Sequence, residues 1–390
     1  MAAKNGAELA VIGHGCADFF LGIPPGIGGD LNVIFRAGKV RHLKRTRIGL
    51  GGALKTGVTT HNLGIPTILV GPVGDEPFGA SLRQHIESID PQLAEGLFVC
   101  PGGMTAHSFV IQPEGLDRAF GHHPGVVDLM TEGNIPWDNV EGVSWAHYGY
   151  LTLMEGMWEN NGAEAKKMFA RLKQMGIVTS MDVTVLDPNS EAGQQDWPAI
   201  MAEVLPYVDV FMPSESDIQP LGLAKLTGPA GASNIAKKIL DLGSAIVVFK
   251  LGEKGIYVRV TDDLERLRCF GQQIFGGITK AHGYEFVVPS FEVKELDTTG
   301  SGDRAIGGFI ASALKGQPIQ WAAKTAAASG ACSVSQPNRD EIDPDWLTLH
   351  HMMDAWNQPP DRFSSAFESL GFDWSSRYRL WLGSNDPRRK

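Results

Sequence analysis

Cysteine is scarce in this chain: four residues in 390, at 16, 100, 269 and 332, with no C-x-x-C pair. That spacing offers neither a zinc-finger-type site nor a disulfide framework, and it suits a reducing compartment. No apolar run approaches the roughly 18 residues a membrane helix requires. The start, "MAAKNGAELAVIG", has no apolar stretch of the signal-peptide kind. Positive charge is also short: 34 Lys and Arg against 44 Asp and Glu give a formal net charge of −10. This argues against nucleic acid as a partner, although one basic run, "KVRHLKRTR" at 39–47, breaks the trend. Internal repeats and low-complexity tracts are absent, as is the G-x-x-x-x-G-K-[ST] phosphate loop. The expectation is a cytoplasmic globular protein, since 43% hydrophobic residues can build a core and 20% charged residues are too few for disorder.

What is present alternates. Short apolar runs, "ELAVIGHG", "TILVG", "VSWAHYGY", "GIVTSMDV", "VDVFMP" and "AIVVFKLG", are separated by helix-like stretches such as "GALKTGVTTHNLGI", "AEAKKMFARLKQM" and "ASNIAKKILDLG". This pattern predicts an α/β fold with a mostly parallel sheet covered on both faces. Two segments interrupt it: Leu21 to Arg47, and Thr105 to Gly121, which reads as two strands around a "PEG" turn. Both predict a small antiparallel sheet projecting from the main one. From about Asn338 the chain carries four of its nine tryptophans, Trp346, Trp356, Trp374 and Trp381. Aromatic surface of that size is costly in water, so the tail is expected to pack on the core.

The segment "VKELDTTGSGDRAIGGFIASAL", Val293 to Leu314, holds the densest chemistry. A β-like run at Phe291 to Val293 leads to a Gly-rich turn, one acid, Asp303, and an apolar helix. Such a turn frees the N–H groups of Gly300, Ser301 and Gly302, and the helix N-terminus adds about half a positive charge, which together attract an anion. Asp303 then either caps the helix or accepts a proton from a hydroxyl attacking phosphorus. "GHGCAD" imitates the dinucleotide fingerprint G-x-G-x-x-G, but Asp18 replaces its third glycine and forbids the close helix approach. Asp18 closes the first strand and could bond sugar hydroxyls or cap a turn. Gly51 and Gly52 could admit a ligand or form a tight turn. The adjacent pairs His122–His123 and His350–His351 face apart, so neither predicts a shared metal. Asp75 reads as a helix cap, and Cys16 as a small buried apolar residue.

In their order and spacing these motifs resemble the ribokinase-like, PfkB-type carbohydrate kinases. The matching stretches are "GHGCAD", "GLGGALKTGVTTHNLGIPTILVGPVGDEPFG", "HSFVIQPEGLDRAFGHHPG", "VVFKLGEKGIYV" and "DTTGSGDRAIGGF", within about residues 8 to 336. The resemblance implies a three-layer α/β sandwich at 1–337, with a small β-sheet lid formed by segments at about 20–48 and 105–123. The Trp-rich extension, 338–390, lies outside it. It also implies ATP-dependent phosphorylation of an alcohol on a sugar-like molecule with Mg2+, often helped by a monovalent cation such as K+. Asp303 matches the family's catalytic base, and Gly300, Ser301 and Gly302 its anion hole. Asp18, Gly51 and Gly52 match sugar-binding positions, with Lys55 beside them. Lys250, Gly252, Gly255 and Thr299 fall on the nucleotide side, with Ala327 and Gly330 near the adenine. A homodimer through the lid stays open, and no membrane partner is implied.

Four departures from the family pattern stand out. Lys55 replaces an Asn. The N-x-x-E magnesium motif reads "SESD", leaving Asp217 to act on the metal through water. Arg304 and Ala305 follow the base, and Thr184 replaces the amide of D-x-N. Lys55, Arg304 and the basic run either serve an anionic acceptor or are structural and solvent-facing. Two other readings of function stay open: a nucleoside kinase of the same fold, and a regulatory protein that binds sugar or nucleotide without turnover.

Overall fold

Apolar runs buried on both faces can only sit inside a sheet with helices above and below. In the computed structural model, whose described residues are 6–24, 30–113, 118–184, 186–223, 228–335, 344–354, 364 and 367–389, that is where they lie. The strands are β1 (Leu9–Gly13), β2 (Gly15–Ile23), β3 (Arg45–Gly52), β4 (Thr67–Gly74), β5 (Gly96–Cys100), β6 (His107–Pro113), β7 (Ala119–His123), β8 (Trp145–Gly149), β9 (Val178–Met181), β10 (Val210–Phe211), β11 (Ile246–Lys250), β12 (Ile256–Val260), β13 (Glu285–Val288), β14 (Asp373–Ser375) and β15 (Leu380–Leu382). The main sheet has the order β14, β15, β13, β12, β11, β10, β9, β8, β1, β4, β5. From β5 to β11 neighbours run parallel; from β11 to β14 they run antiparallel. The chain leaves β1 toward β4 and β5, then returns to β8 on the other flank. Strand order reverses there, and open α/β sheets bind ligands beyond the carboxyl ends at such a point.

The helices that cover the sheet and carry the argument are α1 (Ala53–Asn62), α2 (Pro77–Ile89), α3 (Glu155–Gln174), α4 (Trp197–Val204), α5 (Gly228–Asp241), α6 (Ser301–Leu314), α7 (Ile319–Ser335) and α8 (Trp346–Asp354). Of these, α6 is buried almost all round, as its run of Ala, Gly, Ile and Phe requires, and it packs on both α1 and α7.

The lid is a separate sheet, ordered β3, β2, β6, β7. Its outer pairings are antiparallel and the central pair, β2 with β6, is parallel. Because β2 starts at Gly15, Asp18 belongs to the lid and does not close β1, contrary to the sequence reading. Pro113 ends β6, while Glu114 and Gly115 of the "PEG" turn lie outside the described residues. Residues 39–42 of the basic run are exposed, whereas the Arg47 guanidinium lies 3.4 Å from the centroid of the Phe20 ring. Phe291 to Val293, expected as β-like, forms no strand.

The tail does more than pack. β15 pairs with β13 and β14 with β15, extending the main sheet by two strands. Trp381 is buried, and Trp346 Nε1 donates to the Leu63 carbonyl at 2.6 Å. Asp386 accepts the Glu285 N–H at 2.9 Å, and Arg388 lies 3.8 Å from the Tyr284 ring centroid. Trp374 is half-buried against Trp381, and Trp356 lies outside the described residues. If β15 belongs to the core, Trp381→Ala should cost about 3–5 kcal/mol in urea unfolding. A loss below about 1 kcal/mol, the level of a surface change, would show that the tail is detachable.

Candidate active site

Several parallel strands end at one place. Tyr150 follows β8, Asp182 follows β9, Asp217 lies just beyond β10, and Lys250 closes β11. The N-terminus of α6 faces them. Gly300 precedes that helix at φ 73, a left-handed conformation suited to glycine, and a Cβ there would lie 2.7 Å from Lys55 Cδ. The Ser301 N–H donates to the Thr298 carbonyl at 3.2 Å. Of the three amides expected to be free, Ser301 is therefore engaged; those of Gly300 and Gly302 have no acceptor among the described residues.

Asp303 makes no capping bond to its own helix. It is buried, and its Oδ1 accepts the Tyr150 hydroxyl at 2.8 Å. Burial pushes its carboxyl above the usual range; Lys55, Lys250, the Tyr150 hydrogen bond and Arg304 pull it back. Tyr150 itself sits at φ 67, ψ 49, sparse territory for a non-glycine residue, which is where functional side chains are often aimed. Sequence reading missed Tyr150, although its position at the end of "VSWAHYGY", on the sheet's carboxyl edge, marks it.

On one side of Asp303 the lid meets α1. Asp18, Gly51, Gly52 and Lys55 meet there as expected. Lys55 Nζ is 3.1 Å from Asp18 Oδ2, with both side chains under 10% exposed. A Cβ on Gly51 would collide with Cys16 Sγ and Asp18 Oδ1, so only glycine lets the two strands approach. His14, between β1 and β2, sends Nε2 to within 3.2 Å of His122 Nε2 and stacks on Tyr150 with ring centroids 6.0 Å apart. Burial pushes the His14 imidazole down to about 3 and also lowers His122, favouring the uncharged ring in each. His123 turns the other way, toward His107. The two do face apart; what the sequence hid is that His14 meets one of them. Cys16 is buried, as expected.

On the other side a cleft of about 370 Å³ is lined by Lys250, Gly252, Gly255, Gly302 and the small residues Ala327 and Gly330 of α7. A wall without side-chain bulk can take a planar base. Thr299, expected here, does not line the cleft; its hydroxyl donates to Asp297 Oδ1 at 2.8 Å.

At the edge of the cleft, Lys250 Nζ lies 2.7 Å from Asp182 Oδ2. Burial pushes Asp182 up to about 7 against the pull of Lys250. Its Oδ1 has no hydrogen-bond partner among the described residues. Asp217, also raised by burial, accepts the Ser214 N–H at 2.7 Å at the start of the single turn Glu215–Ile218. Two buried carboxylates, one with an orphaned oxygen, form a donor set suited to a hard oxygen-seeking cation. Thr184 is tied by its N–H and carbonyl to the Thr152 hydroxyl. Arg304 is buried, so the solvent-facing reading fails for it and for Lys55, while it holds for residues 39–42. Asp75 is not a helix cap: it accepts the Gly102 N–H at 2.9 Å, and Glu76 caps α2.

The chain resembles known proteins in sequence and fold. A profile described as pfkB family carbohydrate kinase matches residues 153–346. Fructokinase-2 of Oryza sativa subsp. japonica is 26% identical over 265 residues, 66% of this chain and 68% of that protein. The ATP-dependent ribose-1-phosphate kinase of Halopiger xanaduensis is 22% identical over 288 residues, 74% of this chain and 81% of that protein. The solved structure of Arabidopsis thaliana ribokinase complexed with ribose and ATP superposes with a TM-score of 0.67 at 17% identity, covering 90% of this chain and 99% of that one.

Removing one member of a buried ion pair leaves the other uncompensated. Lys55→Met should therefore cost about 3–5 kcal/mol of stability, read by urea unfolding, and adding Asp18→Asn should recover much of the loss. Additive losses would show that the two side chains do not pair.

Proposed function

The chain belongs to the PfkB family of carbohydrate kinases, and from that premise we propose that it moves the γ-phosphoryl group of ATP onto a hydroxyl of an uncharged polyol, with Asp303 as general base. The observation that carries this is the station of Asp303. It is buried and uncapped at the mouth of α6, between the Asp18–Lys55 ion pair and the small-residue cleft.

In this reading the acceptor rests on Asp18 beneath the lid, with Gly51 and Gly52 letting it approach the backbone. Its attacking hydroxyl gives its proton to Asp303 as the oxygen bonds to phosphorus. Negative charge on the transferring group meets the amides of Gly300 and Gly302, with Lys55 and Lys250 on either flank. The nucleotide base lies along Ala327 and Gly330, and Gly252 and Gly255 leave room for the phosphate chain. Asp182 and Asp217, the latter through water, would hold Mg2+, which when bound neutralises phosphate charge. Lid closure would exclude water as a competing acceptor. Lys55 favours an uncharged acceptor because Asp18 already answers its charge at 3.1 Å. A sugar acid or phosphosugar would have to separate that pair.

Two measurements test the reading. Asp303→Asn should lower kcat by about 10²–10⁴ in an ADP-release assay over sugars, sugar acids, phosphosugars and nucleosides, while calorimetry shows unchanged binding of a non-hydrolysable ATP analogue. Undiminished turnover would remove Asp303 as the base. Tyr150→Phe tests the same group by pH. The ionised carboxylate is the active form, so kcat/KM falls as pH drops through its pKa. Losing the Tyr150 donor raises that pKa further, and the acidic limb should move to higher pH. A limb that stays in place would belong to another group.

A further inference from the structure

We propose that His14, Cys16 and His122 form a binding site for one zinc-class divalent cation, which no step of the phosphoryl transfer requires. These residues come from three elements: the link after β1, the lid strand β2 and the lid edge strand β7. One ring nitrogen each from His14 and His122, together with Cys16 Sγ, lie within 4.8 Å of one another, and His14 and Cys16 are buried.

The spacing of the two imidazoles is the telling part. Zn–N bonds of about 2.0–2.1 Å at a tetrahedral angle place two nitrogens about 3.3 Å apart. The two Nε2 atoms are 3.2 Å apart. His122 Nδ1 lies 3.0 Å from Ser108 Oγ, the kind of outer hydrogen bond that fixes a ligating ring with its other nitrogen toward the metal. A thiolate ligand needs a sulfur–nitrogen spacing of about 3.6 Å, which falls inside the 4.8 Å span of the cluster. The fourth position falls to water or to Asp18, whose Oδ1 is 3.4 Å from Cys16 Sγ. Two imidazoles and a thiolate select zinc or cobalt over Mg2+, which prefers oxygen. The site is thus chemically separate from the carboxylates Asp182 and Asp217. An ion here would join the lid's far edge, through His122, to the end of the central strand β1.

The competing account of the 3.2 Å spacing is a plain imidazole–imidazole hydrogen bond, and cobalt distinguishes the two. The full-length protein, stripped with chelator, is titrated with Co2+ and followed by absorption. Intense visible d–d bands of tetrahedral Co2+, a thiolate charge-transfer band and a stoichiometry of one per chain are expected, all displaced by Zn2+. Cys16→Ser should abolish the charge-transfer band, and His122→Gln should collapse the d–d intensity. Ser108→Ala should keep the spectrum but weaken affinity by about 10–100-fold. No tetrahedral spectrum in excess Co2+ would overturn the proposal without any variant. A charge-transfer band surviving in folded Cys16→Ser, checked by circular dichroism, would assign the metal to another cysteine and overturn it equally.

Discussion

A carboxylate sealed from water resists ionising, and the centre of this molecule is arranged around offsetting that resistance. Asp18, Asp182 and Asp303 are all buried within reach of two lysines, Lys55 and Lys250. Each lysine is committed to one acid and acts at longer range on Asp303. Removing either would strand an unpaired charge in surroundings of low polarity. The glycines at 51 and 300 follow from the same constraint: side chains there would collide with Asp18 or with Lys55.

The balance also divides the site into two sides. Lys55 reaches the lid, and Lys250 reaches the cleft under α7, so Asp303 stands between two distinct regions with no ion pair to either lysine among the described residues. A β-sheet whose order reverses beside β1 makes this economical, because consecutive parallel strands deliver Tyr150, Asp182, Asp217 and Lys250 to one edge from four separate stretches of chain.

What could be read from the sequence was local. The parallel strands, the Gly-rich turn before α6 and the acid at 303 follow from short motifs, whereas the grouping of Asp18 with Gly51, Gly52 and Lys55 was legible only through the family resemblance. What escaped depends on contacts between distant segments. Tyr150 matters because of a residue 153 positions away, and His14 meets His122 only when the lid folds over β1. Asp75 and Glu76 compete for one helix start, and spacing alone cannot decide between neighbours. Thr299 lies inside the motif yet its hydroxyl is taken up by Asp297 two residues earlier, a local bond that the motif spacing does not reveal. The two strands contributed by the tail are three residues each, too short for a periodicity to register.

Those short strands have a consequence of their own. Without them β13, buried and mostly apolar, would present its unpaired backbone as an open template for other chains. β15 covers that border, and β14 finishes it with only three residues, the first of them charged and exposed. The C-terminal segment thereby acts as a selvedge, closing the weave where a longer, greasier margin would invite aggregation.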